Sequence, residues 1–135
     1  MPKFSKKSSE LLSMAHPDLQ KILNHMIKFI DFRVVCTYRG REEQTNAVAT
    51  GKSKLPWPKS KHNTLPSMAV DIVPYPVDYK NKGKFLLLAG MFMGIGKLLK
   101  EDGYITHSPR VGADFNMDND PENDSFKDLP HLEII

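Results

Sequence analysis

The sequence predicts an α+β domain. Two stretches space their apolar residues as helices do, short β-branched runs lie between and after them, and no regular strand–helix–strand alternation marks a parallel sheet. At 135 residues, 40% hydrophobic and 26% charged, the chain suffices for one core and falls short of two. A single domain over residues 1–135 is therefore expected, with no second domain appended.

From Pro17 to Asp31, Leu19, Ile22, Leu23, Met26, Ile27 and Ile30 recur at helical spacing, and Pro17 suits a first helical position, where its missing N–H costs nothing. Phe32–Tyr38 is β-branched and aromatic and reads as a strand. A short helix over Arg41–Thr50 follows, with Gly51 placed to end it. Residues 52–68 carry three prolines and no periodicity. A loop longer than about 12–15 residues in a compact domain is usually functional or disordered. Ala69-Val-Asp-Ile-Val73 reads as a short buried strand interrupted by one carboxylate. Lys84–Asp102 reads as a second long helix, apolar nearly all round and so expected to be buried, with Gly103 as its cap. Tyr104–His107 and His131–Ile135 complete the expected strands.

Charge is unevenly placed. Residues 1–61 hold 12 Lys/Arg against 5 Asp/Glu, a balance of +7, whereas residues 114–128 hold six acids against Lys127, a balance of −5. The basic front half suits an anionic polymer or surface, and equally a merely solvated surface. The apolar run Phe85–Leu99 is broken by Gly90, Gly94, Gly96 and Lys97, so it is not a membrane span. The basic N-terminus lacks the apolar stretch of a secretory signal, so synthesis in the cytosol is expected. The one cysteine, Cys36, excludes an internal disulfide and a cysteine-built zinc site. Any metal must be held by histidine and carboxylate.

Asp71, central in an apolar strand, either pairs with a lysine or arginine or binds a metal, because a buried charge is costly alone. His62 ends the proline-rich loop and His131 starts the last strand. Each alone reads as an ordinary histidine, exposed in the first case and packed in the second. Two imidazoles and one carboxylate meeting at one point are the ligands of an open catalytic zinc site. Spacing does not establish that they meet, since no HExxH helix is present.

Ser60-Lys-His62, Ala69-Val-Asp71-Ile-Val-Pro-Tyr75, Gly112-Ala-Asp114-Phe and Asp128-Leu-Pro-His131-Leu-Glu133, in that order, resemble the VanY-type zinc peptidases. These comprise the D-alanyl-D-alanine carboxypeptidases and the phage endolysins that cleave the L-alanyl-D-glutamate bond of peptidoglycan. The resemblance runs from about Leu19 to the C-terminus. It implies a small Hedgehog/D,D-peptidase-like domain, a central antiparallel sheet flanked by helices. It implies zinc on His62, Asp71 and His131, Asp128 as catalytic base, and Arg39 against the substrate or the developing oxyanion. Ser60 would shape the site or contact a substrate carboxylate. Two features depart from the family pattern. Eight residues separate His62 from Asp71, more than in many members, so the Leu65-Pro66 region must bulge. The base is Asp128 where many carboxypeptidases use Glu, which leans toward the phage endopeptidases.

The implied chemistry is coherent. Zinc lowers the pKa of its water toward about 7, and Asp128 would take the water's proton and pass it to the leaving amine. Glu133, two residues past His131 on a strand, shares its face and would orient a ligand or form a structural salt bridge. Asp114, Asn116, Asp118, Asp120, Glu122 and Asp124 alternate as calcium ligands do. They lack the EF-hand glycine, so calcium stands as a secondary expectation beside a plain solvated loop. Tyr38, Trp57, Tyr75 and Tyr79 would line a cleft or simply pack, and Cys36 reads as a small buried hydrophobe. His16 and His25 read as surface residues, and His107 as a candidate cleft residue.

The expected function is zinc-dependent peptidoglycan hydrolysis by a phage endolysin acting on the stem peptide. The alternatives are a D,D-carboxypeptidase removing terminal D-alanine, and a non-catalytic wall- or nucleic-acid-binding module of the same fold. The leading reading expects a monomer that binds no nucleic acid and inserts in no membrane. It would accumulate in the host cytoplasm and reach the wall through a separate pore.

Overall fold

The computed structural model describes residues 2–123 and 127–135. Four helices, α1 (Lys6–Leu12), α2 (Pro17–Met26), α3 (Arg41–Ala49) and α4 (Lys82–Glu101), accompany four strands, β1 (Phe32–Cys36), β2 (Ala69–Pro74), β3 (Pro109–Val111) and β4 (His131–Ile134). The strands form one antiparallel sheet in the order β1-β2-β4-β3.

The sheet's two faces follow from the period-2 alternation of its strands. Val34, Val70, Ile72, Leu132, Ile134 and Val111 point to one side and join the buried core with Leu19, Ile22, Leu23 and Met26 of α2 and Leu88, Phe92 and Leu99 of α4. Asp71, His131 and Glu133 occupy the intervening positions, and with them the opposite face. Burying one apolar face on helices thus leaves a polar face for chemistry.

Several boundaries differ from the sequence reading. The helix α2 stops at Met26, short of the expected Asp31, and tighter i→i+3 bonds (Lys28 N to His25 O, Phe29 N to Met26 O) carry the chain on toward β1. The helix α1 lay outside that reading. Ser5 caps it through Ser8 N, and Ser8 Oγ accepts from Val34 N while Thr37 Oγ1 donates to Leu11 O, so the short helix covers the edge of β1. Gly51 and Gly103 both take positive φ after their helices, as expected. The expected strand at Tyr104–His107 does not form. The backbone N–H groups of Thr106 and His107 donate instead to the Asp18 carboxylate at 3.1 and 3.2 Å, so backbone pairing starts at Ser108, with Ile135, and the strand β3 at Pro109. Nor is α4 buried all round: Leu87 and Leu98 are each 56% exposed, because α2 and the sheet cover only one side of it.

Candidate active site

Antiparallel register builds the site's floor. Asp71 on β2 stands opposite His131 on β4 and, across a bulge, opposite Cys36 on β1. Directly opposed residues share a face at close range. His62 arrives from outside the sheet on a 3₁₀ turn, Lys61–Asn63. Ser60 Oγ accepts from His62 N, Ser60 N donates to Asn63 Oδ1, and Arg39 N donates to His62 O. The long gap before Asp71 is absorbed as expected: Thr64, Leu65 and Pro66 are exposed, and Met68 N closes the bulge on Lys61 O at 3.0 Å.

The three predicted ligands meet. Asp71 Oδ1 lies 3.2 Å from His62 Nε2 and 3.3 Å from His131 Nδ1, and the two ring nitrogens are 3.3 Å apart. The tautomers are set from behind. His62 Nδ1 donates to the Thr37 carbonyl at 2.6 Å, and His131 Nε2 donates to Glu133 Oε1 at 2.7 Å. Each ring therefore turns its second nitrogen toward the Asp71 carboxylate, to which that nitrogen donates when protonated and beside which it presents a lone pair when neutral. With both rings neutral, the three groups face one another as acceptors, and positive charge, carried either by protons on the rings or by a metal ion in their place, offsets their repulsion. A tetrahedral ion with ligands about 2.0–2.1 Å away has ligand–ligand edges of about 3.3–3.4 Å, so the triangle has the right size for one face of such a centre.

The electrostatics agree. Burial would lower His62, but the hydrogen bond to Asp71 and the neighbouring Cys36 outweigh it and hold the ring at about 9. His131 stands at about 9 for the same reason, its burial outweighed by bonds to Asp71 and Glu133. Burial would raise Asp71, yet its bonds to His131 and His62 hold it below the usual carboxylate range. The whole cluster is organised to keep positive charge at its centre.

Asp128 sits beside this triangle, its carboxylate within 4.8 Å of ligand atoms of Asp71 and His131. A tight turn brings it there, with His131 N donating to Asp128 O at 3.0 Å and Asp128 N donating to Gly112 O at 2.9 Å. A side chain at position 112 would overlap the Asp128 carbonyl and come within 3.0 Å of His131 Cβ, so this approach requires glycine. Burial, then the Asp71 charge, raises the Asp128 pKa, with His131 offsetting part of it. Arg39 and Ser60 line the same cleft, of about 590 Å³, with His62, Asp128, His131 and Phe115. Arg39 Nε is buried with no hydrogen-bond partner among the described residues.

Glu133 does both things the sequence left open. Oε1 orients His131 while Oε2 receives Arg110 through Nε at 2.9 Å and a terminal nitrogen at 2.6 Å. Gln44 and Asn63 were not foreseen. Gln44 is fully buried; it donates to Ser53 Oγ and Leu55 O and accepts from Asn63 Nδ2. It thereby ties the loop after α3 to the His62 turn. The spacing of Ser60 and Asn63, which suits a reciprocal cap, was the available sign of this.

Other expectations resolve differently. Cys36 is half-buried with Sγ 3.8 Å from His62 Nδ1, rather than sealed in the core, because the bulge turns it toward the polar face. His107 stands away from the cleft, bound to Asp18 at 2.7 Å, while His25 is exposed and His16 caps α2 through Asp18 N. Tyr75 lies under Arg33 at 3.8 Å and Tyr79 stacks on Phe85, whereas Phe115 is the aromatic lining the cleft among the described residues. In the acidic stretch, Asp114, Asn116, Asp118 and Asp120 accept from the backbone N–H groups of Asn119, Asp118, Asp120 and Glu122. Among the described residues no group of three His, Cys, Asp or Glu side chains placed to share a metal draws on Asp114, Asp118, Asp120 or Glu122, and Asp124 lies outside those residues.

Among curated proteins, none matches the chain. In structure it is similar to the Serratia marcescens L-Ala D-Glu endopeptidase ChiX, with a TM-score of 0.71 and 24% identity over 98% of this chain and 89% of that one. That likeness establishes the fold. A family model described as phage L-alanyl-D-glutamate peptidase matches residues 1–135, the full length. The chain therefore belongs to the phage L-alanyl-D-glutamate peptidase family.

Proposed function

We propose that this peptidase is a zinc enzyme, with the metal on His62, Asp71 and His131, the proton handled by Asp128, and the substrate met by Arg39. The observation that carries the reading is the triangle of His62 Nε2, Asp71 Oδ1 and His131 Nδ1 with 3.2–3.3 Å edges. Two histidines and one carboxylate suit zinc and leave one tetrahedral position open. Zinc bound there supplies a Lewis acid for the scissile carbonyl and a coordinated water with a pKa near 7.

The protein's own groups do the rest. Asp128 takes a proton from the attacking water and returns it to the alanyl–glutamyl nitrogen as the C–N bond breaks. Its raised pKa makes it a better base and a competent acid. Arg39 offers donors where negative charge develops on the carbonyl oxygen, and its buried, partnerless Nε is held ready for that use. Ser60 holds the His62 turn in place. Among the described residues no helix is long and apolar enough to cross a membrane. In this reading the enzyme acts as a monomer on the stem peptide, after a separate pore releases it from the host cytoplasm.

Metal analysis of the purified protein, run beside turbidity loss of outer-membrane-permeabilised cells with and without chelator, tests the reading. One zinc per chain and chelator-sensitive lysis are expected. Asp128→Asn should keep the zinc and lose about 10²–10⁴-fold in rate, whereas His62→Ala should lose both. Mass spectrometry should find new amino-terminal D-glutamate rather than free D-alanine. Undiminished lysis by Asp128→Asn would remove the mechanism.

A further inference from the structure

The cleft's walls are chemically unlike. One wall is the segment from Lys52 to Lys61, which brings Lys52, Lys54, Lys59 and Lys61 to the cleft that Arg39 also lines. The acids lining that cleft among the described residues are Asp128 and Glu133, and Glu133 is bound to Arg110 and His131. The basic wall is also built into the fold. Lys52 N and Ser53 N donate to Ala47 O, and buried Gln44 holds Ser53 Oγ and Leu55 O while bonding Asn63 in the His62 turn. One side chain thus fixes the basic segment relative to the proposed metal ligands.

The substrate's charge is equally one-sided. Alanine contributes the scissile carbonyl and, beside it, only a methyl side chain. Glutamate contributes two carboxyls, and whichever carries the peptide onward, the other remains as a free anion close to the scissile nitrogen. Long lysine stems reach a carboxylate from several directions as point charges, which suits a flexible anionic substituent.

We infer that Lys52, Lys59 and Lys61 form a specificity subsite for the free carboxylate of the glutamyl residue, so that the enzyme selects stem peptides in which this carboxyl is ionised over those in which it is amidated. The subsite orients the peptide with its glutamyl side along the basic wall and its alanyl side away from it. Amidation removes the charge while leaving shape nearly unchanged, so it isolates the electrostatic contribution. The inference rests on the peptidase reading above but concerns which substrate is chosen, not how the bond is broken.

The test compares two synthetic stem peptides, identical except that the free glutamyl carboxyl is acid in one and carboxamide in the other. Cleavage is followed with the zinc-loaded protein, and binding by calorimetry with the zinc-loaded Asp128→Asn protein. The wild type should favour the acid roughly tenfold in kcat/KM, as two or three partly exposed ion pairs would give, and added salt should shrink the preference. The double variant K52Q/K59Q should lose most of that preference, its kcat/KM falling far more on the acid peptide than on the carboxamide peptide. Equal use of both peptides by the wild type overturns the subsite, as does a double variant slowed equally on both. If neither peptide is cleaved, the peptidase reading fails, and the two binding affinities still decide the subsite: preference for the acid supports it and equal affinity refutes it.

Discussion

Glu133 Oε1 accepts the Nε2 proton of His131 at 2.7 Å, and that bond decides which nitrogen of the ring faces the cleft. The carboxylate is held in turn by Arg110. Burial would raise Glu133, but the bond to His131, then Arg110, keeps it lowered and therefore ionised. Metal-binding histidines are commonly fixed in this way, and loss of the partner costs about 10–100-fold in metal affinity. Glu133→Gln should weaken zinc binding by roughly that factor, measured by competition with a chromogenic chelator. Unchanged affinity would assign Glu133 to structure alone.

Gly112 lies under the Asp128–His131 turn, where a methyl group would collide with the Asp128 carbonyl. Gly112→Ala should displace that turn and destabilise the protein by about 1–3 kcal/mol, the usual range for overpacking. Chemical denaturation gives the stability change. Activity should fall further than stability, because the displaced carboxylate is the proposed base.

Gln44 is the shared anchor of the basic loop and the His62 turn. Gln44→Ala leaves Asn63 Nδ2 without one of its two acceptors and opens a cavity. A loss of about 1–3 kcal/mol is expected, read by calorimetry. A weaker zinc affinity in the folded variant would confirm that the link reaches the metal ligands.

Asp18 joins α2 to the Thr106–His107 segment, with His16 and His107 both beside it. Burial raises its pKa, but the His107 and backbone hydrogen bonds prevail and lower it. A carboxylate depressed in the folded state contributes stability above its unfolded value, about 3.9, and loses it as pH falls through the folded value. The melting-temperature gap between wild type and Asp18→Asn should therefore be full at pH 6 and close progressively below about pH 4. A gap that persists unchanged in acid would mean that the contribution is not ionic.

The sequence determined where α2 begins and both ends of α3 and α4 closely, while running α2 past Met26 to Asp31, because apolar spacing and end signals are local properties of the chain. It also carried the proposed ligand set, implied by the family resemblance of Ser60-x-His62, Ala69-x-Asp71 and Asp128-x-x-His131, short patterns readable without any fold. It could not decide convergence. His62 and His131 are 69 positions apart, and only the antiparallel register of β2 with β4, together with the Gln44-anchored turn, brings their nitrogens to 3.3 Å. Non-local pairings likewise decided the rest. Asp18 took the N–H groups that would have made a strand at Tyr104–His107, and α4 kept an exposed side because no layer of the fold reaches it. Local patterns choose side chains and segments, but which atoms meet depends on contacts between distant parts of the chain, whose energies no short window contains.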